Sequence, residues 1–260
     1  FSIAGSVSAN NIAKWNGSNW SALSTGAGGS EYIVYALATD SAGNLYAGGG
    51  FTTAGGVSAN RIAKWNGNNW SALGSGMNYP VFALVVDSAG NLYAGGWFTT
   101  AGGVNATRIA KWNGNNWSAL GGGTSGSVMA LVRDNVGNLY AGGSFTTAGG
   151  VNATGIAKWN GSNWSALGVG TSGSVAALVW DNAGNLFAGG SFTRADGVFV
   201  NHIAKWNGLS WLPLGSGNGM YDDGNIGVYA LKADDAGNIY AGGKFTFAGG
   251  TSANNIAKWN

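Results

Sequence analysis

The stretch VYALATDSAGNLYAGGGFTTAGGVSANRIAKWNGNNWSAL, Val34–Leu73, decides the fold. It holds four short β-prone runs: Val34–Thr39, Asn44–Gly49, Ile62–Asn66 and Asn69–Leu73. Asp40-Ser-Ala-Gly-Asn44 separates the first two, and Asn66-Gly67 with one polar residue separates the last two. Both separators are hairpin-turn chemistry, because glycine and asparagine tolerate positive φ. No window carries a sustained 3.6-residue apolar period, and the chain holds 49 glycines. Strands and turns are therefore predicted, not helices.

The same unit recurs along the chain. Ile-Ala-Lys-Trp-Asn returns with isoleucine at 12, 62, 109, 156, 203 and 256, spaced by 50, 47, 47, 47 and 53 residues. Periods of about 40–50 residues belong to propeller blades or helical arrays, and the strand propensity selects blades. Four antiparallel strands make one blade, and a ring of blades hides most strand edges. Leu-Tyr-Ala-Gly-Gly, then Ile-Ala-Lys-Trp-Asn, then Asn-Trp-Ser-Ala-Leu resembles a kelch-type blade over nearly the whole chain. In that family a glycine pair ends the second strand, an aromatic sits in the third and a tryptophan in the fourth. Trp15-Asn16 departs from it, standing where kelch blades often carry Tyr-Asp.

First strands begin at Val34, Val81, Val128, Val175 and Val228. Five of them predict an all-β, five-bladed β-propeller of four-stranded antiparallel blades. Residues 1–260 then form a single domain of five repeats of about 47–53 residues. The last repeat lacks its own fourth strand, and the N-terminal strand around Trp20 is expected to supply it and close the ring. One third strand, 12–16 or 256–260, is then surplus, and self-association through it is expected, since a free strand edge invites pairing. The alternative is a six-bladed ring with residues missing.

Composition narrows the function. Only 8% of residues are charged and the net charge is +2, against roughly 25% charged in an average soluble protein. No basic stripe offers a phosphate-tracking surface, so no nucleic-acid partner is expected. With no cysteine and one histidine, His202, disulfides, thiolate chemistry and multi-histidine metal sites are excluded. No cofactor or metal is expected. No stretch approaches the ~20 apolar residues of a membrane span. The chain starts at Phe1 without a leader and begins and ends inside the repeat, so a processed form or a fragment is expected. Neutral surface chemistry and glycine-rich repetition lean towards a secreted or cell-surface protein.

The repeated aromatics admit two readings. Each tryptophan pair, such as Trp65 with Trp70, could stack on sugar rings. Recurrence at a fixed place in every blade points instead to a packing wedge, since a buried aromatic removes about 150–250 Å² from water. The lysines of Ile-Ala-Lys-Trp-Asn alternate with the tryptophans and read as a solvated or cross-strand polar row. One aspartate per turn is too few for calcium, which takes about six to eight oxygens. Asn-x-Ser/Thr tripeptides at Asn16, Asn19, Asn69, Asn105, Asn116, Asn152, Asn160 and Asn163 are glycan acceptors only in a secreted chain of a glycosylating cell.

Repeats show function where one copy differs. The short turns share one face of a blade and the longer, variable loops share the other. The fourth-to-first loops lengthen at 24–33 and 215–227, and the second-to-third loop at 194–202 departs from Thr-Thr-Ala-Gly-Gly. If five blades close, these loops converge. They gather Glu31, Tyr32, Arg194, Asp196, Phe199, His202, Tyr221, Asp222 and Asp223 as a candidate ligand site. Carboxylates with aromatics suit a hydroxyl-rich ligand, although loops also vary because variation is tolerated there. Arg133 and Trp180 replace small or aliphatic residues on first strands and either reach a channel mouth or fill it.

The expected function is a non-catalytic binding module, for carbohydrate first and for a protein ligand as the alternative, the latter as a structural or interaction component of a cell surface or extracellular assembly. Some kelch-like propellers are copper oxidases with several histidines, tyrosines and a cysteine, and that chemistry does not transfer to this chain. Glu31 with Asp222 or Asp223 is the one carboxylate pair that could hydrolyse a glycoside; no enzyme is expected.

Overall fold

The computed structural model of the chain describes residues 1–29, 31–215, 219–221 and 227–260. Among them all regular structure is strand. The chain divides into two compact units, Phe1–Gly123 and Thr124–Asn260. Within each unit the four-strand repeat read from the sequence forms antiparallel sheets in chain order.

Unit 1 holds two such sheets. One is Val34–Thr39, Leu45–Gly49, Ile62–Trp65 and Trp70–Ala72; the other is Val81–Val86, Leu92–Gly96, Ile109–Trp112 and Trp117–Ala119. Ahead of them Ala13–Trp15 pairs with Trp20–Ala22. Unit 2 holds two more, starting at Val128–Arg133 and Val175–Trp180. A three-stranded sheet of Gly227–Ala233, Ile239–Lys244 and Ile256–Trp259 follows. The architecture is all-β, built of the blades of a β-propeller.

The sequence explains each blade. Asp40 Oδ1 accepts the N–H groups of Ala42 and Asn44, while Oδ2 accepts the Asn44 amide at 2.7 Å and the Tyr46 hydroxyl at 3.2 Å. The carboxylate is thus spent on its own turn. Asn66 Oδ1 closes the other turn by accepting the N–H groups of Asn68 and Asn69.

The glycine pair ending the second strand is there for closeness. A Cβ on Gly48 would lie 2.6 Å from Val81 Cγ1 in the next blade, and one on Gly189 would lie 2.5 Å from Val228 Cγ1. Adjacent blades meet across these bare backbones.

The fourth-strand tryptophan is the wedge. Trp65 and Trp70 pack at 5.4 Å, and the Trp70 indole N–H donates to the Leu23 carbonyl of the preceding repeat at 3.0 Å. Trp117 does the same to Leu73, and Trp211 to Leu167. The Trp70, Trp117, Trp164 and Trp211 rings are buried, so the fourth-strand member of these pairs serves packing. The lysines lie over the second-strand aromatics, with Lys64 Nζ 5.5 Å from the Tyr46 ring centre, a cation–π row.

Candidate functional site

The variable loops carry more structure than their sequence announces. Between second and third strands lies a small hairpin, Thr53–Ala54 with Val57–Ser58. Its two turn residues, Gly55 and Gly56, both have positive φ, as a type I′ turn requires. The segment after each fourth strand pairs onto the same hairpin: Ala27–Gly28 with Thr53–Ala54 in unit 1, and Met220–Tyr221 with Phe247–Ala248 in unit 2. In between, Met77 bridges Ala101 and Thr171 bridges Ala195. Both kinds of variable loop therefore meet in one small sheet per repeat, which holds their side chains on a fixed edge.

In unit 1, Glu31 lies against the bare backbone of Gly50, and its carboxylate lies where a Cβ there would stand. Tyr32 is exposed with φ 51°. It lines a hollow with Phe1, Asn10, Asn11 and Ala27.

In unit 2, the Arg194 guanidinium sits 3.4 Å above the Phe199 ring centre and donates to the Gly197 carbonyl at 2.7 Å. The two residues are cross-strand partners on the hairpin, and Phe199 is exposed. Asp196 takes the place of the first turn glycine and accepts the Val169 N–H at 2.7 Å. Tyr221 stacks on Phe247 at 4.8 Å with the rings 3° from parallel. The 219–220 segment does touch the 194–202 loop, because the Met220 N–H donates to the Asn201 carbonyl at 2.9 Å. Asp222 and Asp223 lie outside the described residues.

His202 is a backbone residue in effect. It is buried with φ 73°, its N–H donates to the Phe192 carbonyl and its carbonyl accepts the Gly190 N–H. Asn11, Arg61, Arg108, Gly155 and Asn255 hold the same place before the third strand, all at positive φ. Burial lowers the imidazole pKa below its ordinary 6.5, against the opposing pull of a hydrogen bond to Gly190. Its Nδ1 is buried without a partner among the described residues. The neutral ring is the form this place holds.

The carboxylates of the turn face are equally engaged. At Asp40 burial works to raise the pKa, and bonds from Asn44 and Tyr46, with Lys64 nearby, outweigh it and hold it below the ordinary range. The Tyr46 hydroxyl is pushed up to about 12, first by burial and then by Asp40.

Reading loops by length missed one pair. Trp97 follows the second-strand glycines where other copies carry Gly50, Ser144, Ser191 and Lys244, and Tyr79 precedes Pro80 in the facing loop. Their rings lie 5.3 Å apart at 49°. Trp97 is 53% exposed and Tyr79 47%. The Trp97 N–H donates to the Pro80 carbonyl, and Asn78 pins the loop by accepting the N–H groups of Thr99 and Thr100. Comparing residue identity at that one position, copy against copy, would have found it.

No protein-family model and no curated protein matches the chain. Solved structures resemble it in fold. The extracellular domain of a hybrid two-component system of B. thetaiotaomicron has TM-score 0.52 at 12% identity, over 86% of this chain and 27% of that one. PorZ, a surface component of the type-IX secretion system of Porphyromonas gingivalis, has TM-score 0.50 at 14% identity, over 80% and 31%. A chain of the mitotic checkpoint complex has TM-score 0.56 at 14% identity, over 93% and 64%. The chain thus spans less than two thirds of each of these.

Proposed function

We propose that this chain is a non-catalytic binding module that takes carbohydrate on the hairpin edge of its blades, in a protein secreted or displayed at the cell surface. One observation carries the reading. Whereas the fourth-strand rings of Trp70, Trp117, Trp164 and Trp211 are buried wedges, Trp97 is half exposed beside an exposed Tyr79, on an edge braced by backbone hydrogen bonds. A flat aromatic face fixed beside amides and hydroxyls suits a pyranose ring, which offers an apolar face and a rim of hydroxyls. Few charges and many asparagines and serines agree with it.

Support for a non-catalytic role comes from the carboxylates: the turn aspartates serve their own turns and Asp196 serves Val169. A surface location rests on fold likeness to proteins described as an extracellular domain and a surface component. Kelch-like membership rests on the glycine-pair, third-strand and fourth-strand signature alone.

The test is a broad glycan array probed with the purified chain, with and without calcium. Saturable binding to one glycan class, lost in Trp97→Ala and retained in Tyr221→Ala, supports the reading and places the site. Loss in Tyr221→Ala alone moves it to the 219–221 edge of unit 2. A silent array under all conditions removes carbohydrate and leaves the protein-interaction reading.

A further inference from the structure

Two consecutive repeats of unit 2 depart from the pattern at the end of the first strand, and both departures open onto one hollow. That strand ends in Thr39, Val86 or Ala233 in the other copies, but in Arg133 and Trp180 here. Just past the turn aspartate stand Ser41, Ser88 and Asp235 in the other copies, but Asn135 and Asn182 here. A cavity of about 630 Å³ is lined by Arg133, Asp134, Asn135, Trp180, Asp181 and Asn182, within the roughly 300–1,000 Å³ of small-molecule sites. All four departures therefore meet beside the two turn aspartates. Asn182 braces the rim, its Nδ2 donating to the Asp235 carbonyl at 2.8 Å.

Packing does not require a tryptophan at 180. Its ring meets Tyr140 edge-on at 5.0 Å, while Val86, at the same position, packs against the cluster that holds Tyr46. The indole also carries a cost that valine avoids. Its Nε1 is buried without a hydrogen-bond partner among the described residues, so the N–H has given up water for nothing in return.

The two aspartates of the hollow are each one donor short of their counterparts. At Asp40, Asp87 and Asp234, Oδ1 accepts the N–H groups two and four residues on. There Oδ2 accepts the asparagine amide and a tyrosine hydroxyl. Asp134 keeps both bonds from Asn138 and the one from Tyr140, but among the described residues it lacks the one from the Val136 N–H. Its turn is reshaped: Arg133 Nη2 donates to the Gly137 carbonyl at 2.8 Å, and Gly137 stands at φ 99° where Gly43, Gly90, Gly184 and Gly237 stand at 80–83°. Asp181 keeps its bonds from Ala183 and Asn185. It lacks the hydroxyl, because Phe187 stands where the other copies carry Tyr46, Tyr93, Tyr140 and Tyr240.

We propose that this hollow is a second ligand site, on the turn face of unit 2, for a single sugar residue. Each carboxylate has acceptor capacity that its own turn leaves unused, and a sugar hydroxyl supplies the missing donor. Asn135 and Asn182 add amide donors and acceptors for neighbouring hydroxyls, and the indole adds an apolar wall. An ammonium ligand would meet the Arg133 charge in the same hollow, whereas a hydroxyl does not. The site shares a ligand class with the hairpin edge of Trp97 but no residue, so either reading can fail alone.

Indole N–H signals in NMR spectra of the nitrogen-labelled chain test it, the Trp180 signal being the one that Trp180→Val removes. The chain is titrated through the millimolar range with glucose, galactose, mannose and N-acetylglucosamine. At least one of them is expected to move the Trp180 signal saturably, and equally in Trp97→Ala. Phe187→Tyr returns the hydroxyl that Asp181 lacks, and it should fold because tyrosine holds that place in the other four copies. It should weaken binding about tenfold or more, the worth of a hydrogen bond to a charged group. A Trp180 signal that none of the four sugars moves saturably overturns the inference, whatever the glycan array shows. So does a shift that disappears in Trp97→Ala, or an affinity that Phe187→Tyr leaves unchanged.

Discussion

Removing one wedge measures how the blades of unit 1 are held. In Trp117→Ala a buried indole leaves the seam between two repeats. Burying about 150–250 Å² at about 25 cal/mol per Å² corresponds to roughly 4–6 kcal/mol, in line with the roughly 3–5 kcal/mol of measured Trp→Ala changes. The Nε1–Leu73 bond at 2.9 Å adds about 1 kcal/mol and leaves a carbonyl unpaired. A loss of about 4 kcal/mol is therefore expected. Unfolding entropy of about 2.1 cal/mol/K per residue sets the corresponding fall in Tm. For 260 residues melting together it is about 7 °C; if unit 1 melts alone it is roughly twice that. The assay is calorimetry with urea unfolding followed by far-UV circular dichroism. Trp97→Ala serves as the internal comparison, since a half-exposed ring should cost about 1 kcal/mol or less. If Trp117→Ala costs no more than Trp97→Ala, the wedge argument is wrong.

Further outcomes follow from the same contacts. Gly102→Ala meets both a φ of +57° and the Trp117 ring, so strain and overpacking together should cost about 2–5 kcal/mol. Gly103→Ala, at φ +82° with nothing within 4 Å, should cost about 1–2 kcal/mol; urea midpoints separate the two. His202→Asn should fold, since Asn11 and Asn255 hold the same left-handed place. With the folded pKa below the unfolded value of 6.5, the unfolded state binds the proton first, so His202 contributes stability above pH 6.5 that is lost as pH falls. The variant should show a flatter stability profile between about pH 7 and 5. Asp40→Ala should cost about 1–3 kcal/mol by freeing the Ala42 and Asn44 amides. Asp40 is held low, so its contribution is complete above the ordinary 3.8 and fades as pH falls through the lowered value. Acid unfolding of wild type and variant should therefore converge.

What the sequence disclosed was whatever the repeat states in residue types. Asp40-x-x-Gly-Asn44 and Asn66-Gly67 have one low-energy use each, so strand order and turn positions followed. Trp70 and Trp117 recur at fixed places, which argued for packing, and their buried rings agree. The hairpin at 53–58 was not legible because its strands are two residues long and hold no alternation to read. His202 misled for a related reason. As the lone histidine it draws attention as chemistry, yet its place demands only a left-handed backbone, which asparagine, arginine and glycine also supply elsewhere. Trp97 escaped because loops were compared by length, and its loop has the common length. Contact between 219–220 and 194–202 was legible, because consecutive repeats must meet there.

Asp196 shows how such a scaffold admits variation at all. Its place belongs to glycine in Gly55, Gly102, Gly149 and Gly249, and the backbone stays left-handed at φ 50°. A side chain is tolerated because its carboxylate turns onto the Val169 N–H over Gly168, where a Cβ would collide with it. The departure needs no second change, because the facing loop carries glycine there in other copies too, as Gly74, Gly121 and Gly215. Arg194, two residues earlier, has no such constraint: it stands on the outward face of the hairpin, where Thr53, Thr100, Thr147 and Phe247 stand in other copies. The inward hairpin position stays alanine, in Ala54, Ala101, Ala148, Ala195 and Ala248, while the outward position differs from copy to copy. Sequence difference between repeats therefore accumulates on that outward edge, with Phe199, Phe247 and the neighbouring Trp97, rather than on the fourth-strand tryptophans or the turn aspartates.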